Sequence, residues 1–233
     1  MKPKSWIQSA NVAIEGIIYA VRTQRHMRYH LIAALVALVM SLVLNISRIE
    51  FTLLCAAIIL VIVTELLNTS IETTVDMICV EFHPKAKLAK DIAAGVVLVA
   101  SLGALMLAYL ILYPAVMTAV RSRHWQLAKA PQDVIAFVSL AVVIILVVFI
   151  KAALGKGEPL QGGMPSGHAA VSFSVWMDSI YLTGSPAVIL LTFLLASMVS
   201  WSRVAMGIHR PIEVIAGAFI GAMVTFIFFL VFS

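Results

Sequence analysis

Two groups of residues in this chain have types and spacings that could do chemistry. The first lies in residues 64–76, TELLNTSIETTVD. At about 100° per residue, Glu65, Glu72 and Asp76 fall within an arc of roughly 40° on a helix, with Asn68 about 60° to one side. Stacked carboxylates repel one another and are costly at low dielectric unless a cation sits among them. A divalent metal carrying a phosphate ligand fits, because hard cations take oxygen ligands. The same acids could also face water on a surface helix, or pair with Lys85, Lys87 and Lys90, and periodicity alone leaves both readings open.

The second group is spread over the last third of the chain. Pro165-Ser166-Gly167-His168 offers a turn of backbone amides at a helix start, which favours an anion, beside a titratable imidazole. Ser202-Arg203 is followed by His209 and Glu213, the last two at i and i+4 and so on one helical face. A carboxylate holding one imidazole, with a cation and a second imidazole nearby, suits phosphoryl transfer through a phosphohistidine. An isolated histidine is usually only a hydrogen-bonding group. The whole set in order, at the ends of apolar segments, is far more specific than the four-residue word alone.

The elements that carry these residues belong in a membrane. Of 233 residues 62% are hydrophobic and 12% charged, and the mean hydropathy is +1.06, which excludes an ordinary soluble domain. The 16 Lys and Arg lie in short loops between apolar runs, the positive-inside pattern, so the basic pI does not point to nucleic acid. Cys55 and Cys79 are too few for a disulfide framework. The pattern predicts an all-α integral membrane protein with about seven transmembrane helices. Ile7, Ala10, Ile14, Ile17 and Val21 recur at helical spacing ahead of them, as in an interfacial helix on the bilayer or a helix packed on the domain.

Spans are expected over residues 30–47, 50–78 and 91–113, with Ala93, Ala94 and Gly95 permitting close backbone approach near the acids. Residues 114–131 carry Arg121, Arg123, His124 and Lys129 between two prolines and read as a linker on the membrane surface. Further spans follow over 133–150, 168–182, 187–200 and 211–232. Gly217 and Gly221 form a GxxxG packing face in the last, and Asp178 lies inside an apolar run as either a polar contact or a functional acid. The division is thus residues 1–113, a linker over 114–131, and residues 132–233.

Residues 1–113 resemble the prokaryotic diacylglycerol kinase family, especially its undecaprenol kinase branch, through IEGIIYA, RYHLIAAL, ELLNTSIETTVD, EFHP and AKDIAAGVVLVA. The resemblance implies a three-span lipid kinase that forms a homotrimer and uses ATP and Mg²⁺ without a P-loop. It assigns Glu72 as the catalytic and metal-binding acid, and Glu65, Asn68, Asp76, Lys90 and Asp91 to nucleotide binding. Gln24 stands where the family has a second metal-binding glutamate. It keeps an oxygen ligand and loses the charge, which weakens Mg²⁺ binding.

Residues 132–233 resemble the type 2 phosphatidic acid phosphatase family, whose words are K-x6-RP, PSGH and SR-x5-H-x3-D. The resemblance assigns His209 as nucleophile, His168 as general acid and Glu213 as the group orienting His209. It assigns Lys151, Ser166, Gly167 and Arg203 to phosphate binding, with no cofactor. Glu213 replaces the usual aspartate. Glu158 replaces an arginine and reverses a charge, for which Lys156 could compensate.

Counting spans from a cytoplasmic amino terminus returns Lys151, His168 and His209 to the same side as Glu72, at the inner membrane of a bacterium. The expected activity is a bifunctional lipid enzyme: ATP-dependent phosphorylation of undecaprenol or diacylglycerol, and dephosphorylation of a lipid phosphate or pyrophosphate. The alternative is one working half, more readily the phosphatase, with a degenerate partner.

Overall fold

The computed structural model describes residues 6–122, 130–154 and 163–233. These form eight helices and no strand: α1 (Trp6–Thr23), α2 (Arg25–Val43), α3 (Arg48–Ile78), α4 (Pro84–Ser122), α5 (Gln132–Leu154), α6 (Gly167–Thr183), α7 (Pro186–Ala205) and α8 (Pro211–Phe232). Six of them, α2, α3, α4, α5, α7 and α8, are long and apolar enough to cross a membrane. The protein is an all-α integral membrane protein.

The chain divides into two compact units, Thr23–Ala128 and Met1–Arg22 with Lys129–Ser233. The sequence pattern puts residues 1–22 with the first domain, whereas in the fold they group with the second half. In α1, Ile18, Ala20 and Val21 are buried, and Arg22 Nη2 donates to the Lys151 carbonyl at 2.9 Å.

In the first unit, Asn45 takes a left-handed φ of 46°, which its short polar side chain tolerates, and turns the chain out of α2. Ser47 and Glu50 then start α3 with a reciprocal capping box: the Ser47 N–H donates to Glu50 Oε2 at 2.8 Å and the Glu50 N–H to Ser47 Oγ at 3.3 Å. With 31 residues α3 is about 46 Å long, well beyond a hydrocarbon core of about 30 Å, so its acidic end extends past the lipid-buried part. Pro84 at the first position starts α4, which runs 39 residues and includes Pro114. The expectation that the third span stops at 113 is therefore corrected. A proline inside a helix costs the backbone hydrogen bond that its nitrogen would have given to the carbonyl four residues earlier, here that of Leu110. Of the three small residues expected at a close approach, Ala93 is buried, Ala94 is exposed, and a Cβ added to Gly95 would meet nothing within 4 Å.

In the second unit α5 to α8 run alternately down and up. At one end the Ser166 N–H donates to the Glu213 carbonyl at 2.9 Å; at the other the Ala130 N–H donates to the Phe232 carbonyl at 3.0 Å and the Tyr181 ring stacks on Phe229 at 4.2 Å. Helix α6 thus lies parallel to α8 and keeps pace with it from end to end, although at 17 residues, about 26 Å, it is the shortest of the four. The GxxxG of α8 is the reason they pack so closely: a Cβ on Gly217 would overlap the Ser166 carbonyl, and one on Gly221 the Ala170 carbonyl. Asp178 is a polar contact in this bundle, accepting from Ser139 Oγ at 3.4 Å.

Candidate active sites

In the second unit the candidate residues come from one end of the four-helix bundle. The closing turn of α7 explains the spacing between Arg203 and His209. Gly207 takes φ 67°, and the N–H groups of Gly207 and Ile208 donate back to the carbonyls of Val204 and Arg203 at 2.9 and 3.0 Å, a Schellman closure. The His209 N–H also reaches the Arg203 carbonyl, at 3.1 Å, so the imidazole is held above the end of the helix that carries the guanidinium.

Pro211 then opens α8, and Glu213 in its first turn reaches back. Its carboxylate accepts from His209 Nδ1 at 2.8 Å and from the Arg210 N–H at 3.2 Å, and the Gly163 N–H donates to it as well. The extra methylene relative to aspartate is accommodated. With Nδ1–H committed to the carboxylate, the Nε2 lone pair is the free end of the ring, and Nε2 is buried with no hydrogen-bond partner among the described residues. His209 is 4% exposed. Burial pushes its pKa below the ordinary 6.5, against an opposing pull from Glu213, so the ring is neutral at pH 7 and its lone pair is available.

His168 sits in the first turn of α6, with Nδ1 buried and unpartnered among the described residues, as is Ser166 Oγ. Arg203, His209 and Lys151 are its electrostatic neighbours. Lys151, 6% exposed in the last turn of α5, has Glu213 and Arg22 as its own. The structure thus brings together every residue assigned to this half: Lys151, Ser166, Gly167, His168, Arg203, His209 and Glu213. Lys156 and Glu158 lie outside the described residues. Sequence reasoning missed Arg22, which the sequence offers only as one of several basic residues before a span.

In the first unit the acids of α3 descend from buried to exposed. Glu65, 2% exposed, accepts from the Met27 N–H in the first turn of α2 and has His30, His26 and Glu72 as ionisable neighbours. Half-buried Glu72 accepts from Asn68 Nδ2 at 3.0 Å and from Gln24 Nε2 at 3.4 Å. Exposed Asp76 accepts from Lys90 Nζ at 2.8 and 3.1 Å. Asp91 is apart from this group and pairs with Lys87 at 2.5 Å, one turn before it on α4. His26 and His30, which sequence reasoning also missed, share a face of α2 at i and i+4 spacing.

Asn68 Oδ1 is buried without a partner among the described residues, next to the Glu72 carboxylate and the Gln24 amide. An all-oxygen donor set with an orphaned oxygen suits a hard divalent cation. Helices α2, α3 and α4 line a largely apolar cavity of about 310 Å³, with Ala37, Ala57, Ala104 and Ala108 among its residues.

Comparison with known proteins bears directly on both sites. Residues 11–112 match the family model for prokaryotic diacylglycerol kinase. An undecaprenol kinase of Bacillus subtilis is 39% identical over 99 residues, which cover 42% of this chain and 80% of that protein. The chain belongs to the prokaryotic diacylglycerol kinase family. A diacylglycerol kinase of Synechocystis is 30% identical over 125 residues, 51% of this chain and 71% of that protein, and one from Escherichia coli K12 is 33% identical over 94 residues, 40% and 77%. Residues 149–233 match the model of the PAP2 superfamily, so a lipid phosphatase domain follows the lipid kinase domain in one chain. No solved structure matches. The chain is an enzyme of two lipid-modifying families in a multi-pass bacterial membrane protein. Its kinase membership implies lipid substrates, ATP and a divalent metal.

Proposed function

We propose that the two halves act in the same metabolic direction: the kinase domain phosphorylates undecaprenol, and the phosphatase domain removes the terminal phosphate of a lipid diphosphate. Both reactions yield a lipid monophosphate. The undecaprenol kinase relative at 39% identity favours a polyprenyl alcohol over diacylglycerol, and the largely apolar cavity offers room for part of an apolar chain.

The observation that carries the phosphatase reading is the buried Nε2 of His209, whose Nδ1 is fixed by Glu213. Nε2 attacks the terminal phosphorus and forms a P–N bond. The bridging P–O bond breaks, and the lipid phosphate leaves with a proton from His168. Water then attacks the phosphohistidine and gives its proton back to His168, and the P–N bond breaks to release inorganic phosphate. Lys151, Arg203 and the amides of the Ser166–Gly167 turn hold the phosphoryl oxygens, and no metal takes part.

In the kinase domain Glu72 takes the proton of the lipid hydroxyl as the hydroxyl oxygen bonds to the γ-phosphorus of ATP; the bond from that phosphorus to the β–γ bridging oxygen breaks, and ADP leaves with the electron pair. Lys90, Asp76 and Asn68 bind the nucleotide, and Asp91 acts through Lys87 at its edge. Glu65 anchors the first turn of α2, so that Gln24 stays beside Glu72. Glu72, Gln24 and the Asn68 oxygen would hold Mg²⁺, which when bound neutralises phosphate charge. A homotrimer would bring nucleotide-binding residues from neighbouring subunits to this open face.

Both sites are cytoplasmic in this reading. Four crossings from an internal amino terminus put Lys151 inside, and the bond from Arg22 at the end of α1 to the Lys151 carbonyl is consistent with it.

The test is to supply the purified protein with ATP labelled at the γ-phosphate, Mg²⁺ and undecaprenol. Label held in the lipid establishes the kinase, and the phosphatase is assayed in parallel by phosphate release from a polyprenyl diphosphate, which His209→Ala abolishes. Label remaining in ATP sinks the kinase half and favours a second reading motivated by Gln24, in which only the phosphatase turns over.

A further inference from the structure

The cavity of the kinase unit has a direction. Its lining residues on α3 run from Leu54 to Ile62, about 12 Å along the helix, and all lie on the side of Glu65 away from Glu72. Glu65 follows Val61 and Ile62 by one turn on the same face, so the cavity ends where the acids begin. Two hydrogen-bonding side chains line it, and both stand at this end. His30 on α2 is one turn beyond Met27, whose N–H Glu65 accepts. Ser101 on α4 is level with Glu65, because Lys90 meets Asp76 and each residue lies eleven positions from that pair along antiparallel helices. Ser41, Ser139, Ser172 and Ser202 each donate to a carbonyl three or four positions back in their helices, whereas Ser101 Oγ is buried with no hydrogen-bond partner among the described residues. A hydroxyl left unpaired in apolar surroundings is costly, and an oxygen of a ligand satisfies it.

The volume limits how much chain fits. A cavity of about 150 Å³ holds benzene, so about 310 Å³ holds roughly twelve carbons. With bonds of about 1.5 Å, a zigzag chain needs about ten carbons to span 12 Å, so one chain fits and two do not. The alanines recur at the interval of a prenyl chain. Ala34 to Ala37 and Ala104 to Ala108 are steps of about 4.5 and 6 Å along their helices. The methyl branches of an isoprenoid, one for every four chain bonds, recur about every 5 Å. Short side chains at that pitch leave notches for the branches.

Resting on the kinase reading above, we propose that this cavity is the acceptor site of the kinase and takes the hydroxyl end of one polyprenyl chain, with the hydroxyl at Ser101 and His30 and about two isoprene units against Ala37, Ala57, Ala104 and Ala108. Ala57 and Ala108 are then specificity-determining residues, because a longer side chain at either fills a notch. Side chains on a helix lean toward its amino end, which brings the Glu72 carboxylate back to Asn68, its partner at 3.0 Å, and so toward the hydroxyl.

The test follows transfer of label from γ-labelled ATP to farnesol and to dioctanoylglycerol by the full-length protein in detergent. Ala57→Leu and Ala108→Leu should raise the KM for farnesol about tenfold with kcat changed less, and raise that for dioctanoylglycerol, whose chains are unbranched, less than about threefold. Ser101→Ala should raise the farnesol KM about fivefold. Both leucine variants should unfold at a temperature no lower than wild type, because they fill space. Equal effects on the two lipids, or unchanged farnesol kinetics in both leucine variants, would overturn the proposal. So would loss of activity on both lipids with a lower particle mass in light scattering, since a second copy would then be the cavity's occupant. The kinase reading fails differently, by the absence of label from either lipid with the wild-type protein. Farnesol retained without ATP, counted by native mass spectrometry, still reads the cavity: retention lowered about tenfold in Ala57→Leu supports the proposal, and retention indifferent to both leucine variants overturns it.

Discussion

The two candidate active sites of this chain are built on opposite plans. In the phosphatase domain the reacting side chains come from the ends of four helices, and main-chain bonds template their positions: a Schellman turn sets His209 over Arg203, and Ser166 is tied to the Glu213 carbonyl. In the kinase domain they lie along one face of a single helix, and Glu72 is steadied by two side-chain amides at 3.0 and 3.4 Å. A site templated by backbone is rigid and tolerates little change. A site made of side chains on an extended helix is adjustable, and can take up a metal, a nucleotide or a neighbouring subunit without moving the fold.

The sharpest way to test this contrast is to remove the central residue of each site. His209→Ala should lower phosphate release from a lipid diphosphate by about 10³-fold or more while leaving transfer from ATP intact, because the nucleophile has no substitute. Glu72→Ala should lower the kinase by at least about 10²-fold and leave phosphate release alone. Parallel assays of labelled lipid and free phosphate on each variant check both, and cross-loss in either variant breaks the picture of two independent sites.

Next in size is Glu213→Gln, expected to cost about 10²-fold in phosphatase kcat/KM, since the amide can present its N–H and hold the ring the wrong way round. The pH profile gives the sign. Protonation removes the His209 lone pair, and burial holds its pKa below 6.5, so the acid limb that His209 sets should lie below pH 6.5. Glu213 pulls that pKa upward, so the residual activity of Glu213→Gln should have its acid limb at still lower pH. An acid limb shifted upward in the variant would contradict the assigned hydrogen bond.

A smaller effect is expected on the adjustable side. Gln24→Glu adds a charged oxygen ligand beside Glu72 and should lower the Mg²⁺ concentration for half-maximal kinase activity by about tenfold, with kcat changed less. A magnesium titration of the two proteins decides it. An unchanged requirement would remove Gln24 from the metal site.

Much of this was legible in the sequence. The helical class followed from composition, and the i and i+4 spacing of His209 and Glu213 made them neighbours, although His209 stands before α8 rather than on its face and Glu213 reaches back to it from the first turn. The role of Gly217 and Gly221 was readable for the same local reason. What was not legible depended on long-range packing. Arg22 was one basic residue among several until α1 grouped with α5, 129 positions away. Pro114 looked like a stop because proline usually ends a helix, yet α4 continues through it to Ser122. The pairing of Asp91 with Lys87, one turn away on its own helix, was not read from the sequence either.

The smallest predicted effect uses glycine to probe the same difference between the domains. Gly217 lies against the Ser166 carbonyl, which a Cβ would overlap, and that carbonyl is backbone at the start of the phosphate-binding turn, so it cannot swing aside as a flexible side chain could. Gly217→Ala should therefore cost about 1–3 kcal/mol of stability, and it should weaken phosphatase activity beyond what the loss of folded protein explains, by displacing Ser166. Gly95, on α4 of the kinase domain, has nothing within 4 Å of where an alanine methyl would stand, and there the helix propensity of alanine is worth up to about 1 kcal/mol. Gly95→Ala should thus be neutral or stabilising and leave the kinase unchanged. Thermal unfolding of both variants, with each activity measured on the folded fraction, separates the cases: a harmless Gly217→Ala would mean that α6 and α8 do not pack backbone to backbone, and a damaging Gly95→Ala would mean that α4 meets a neighbour at that face.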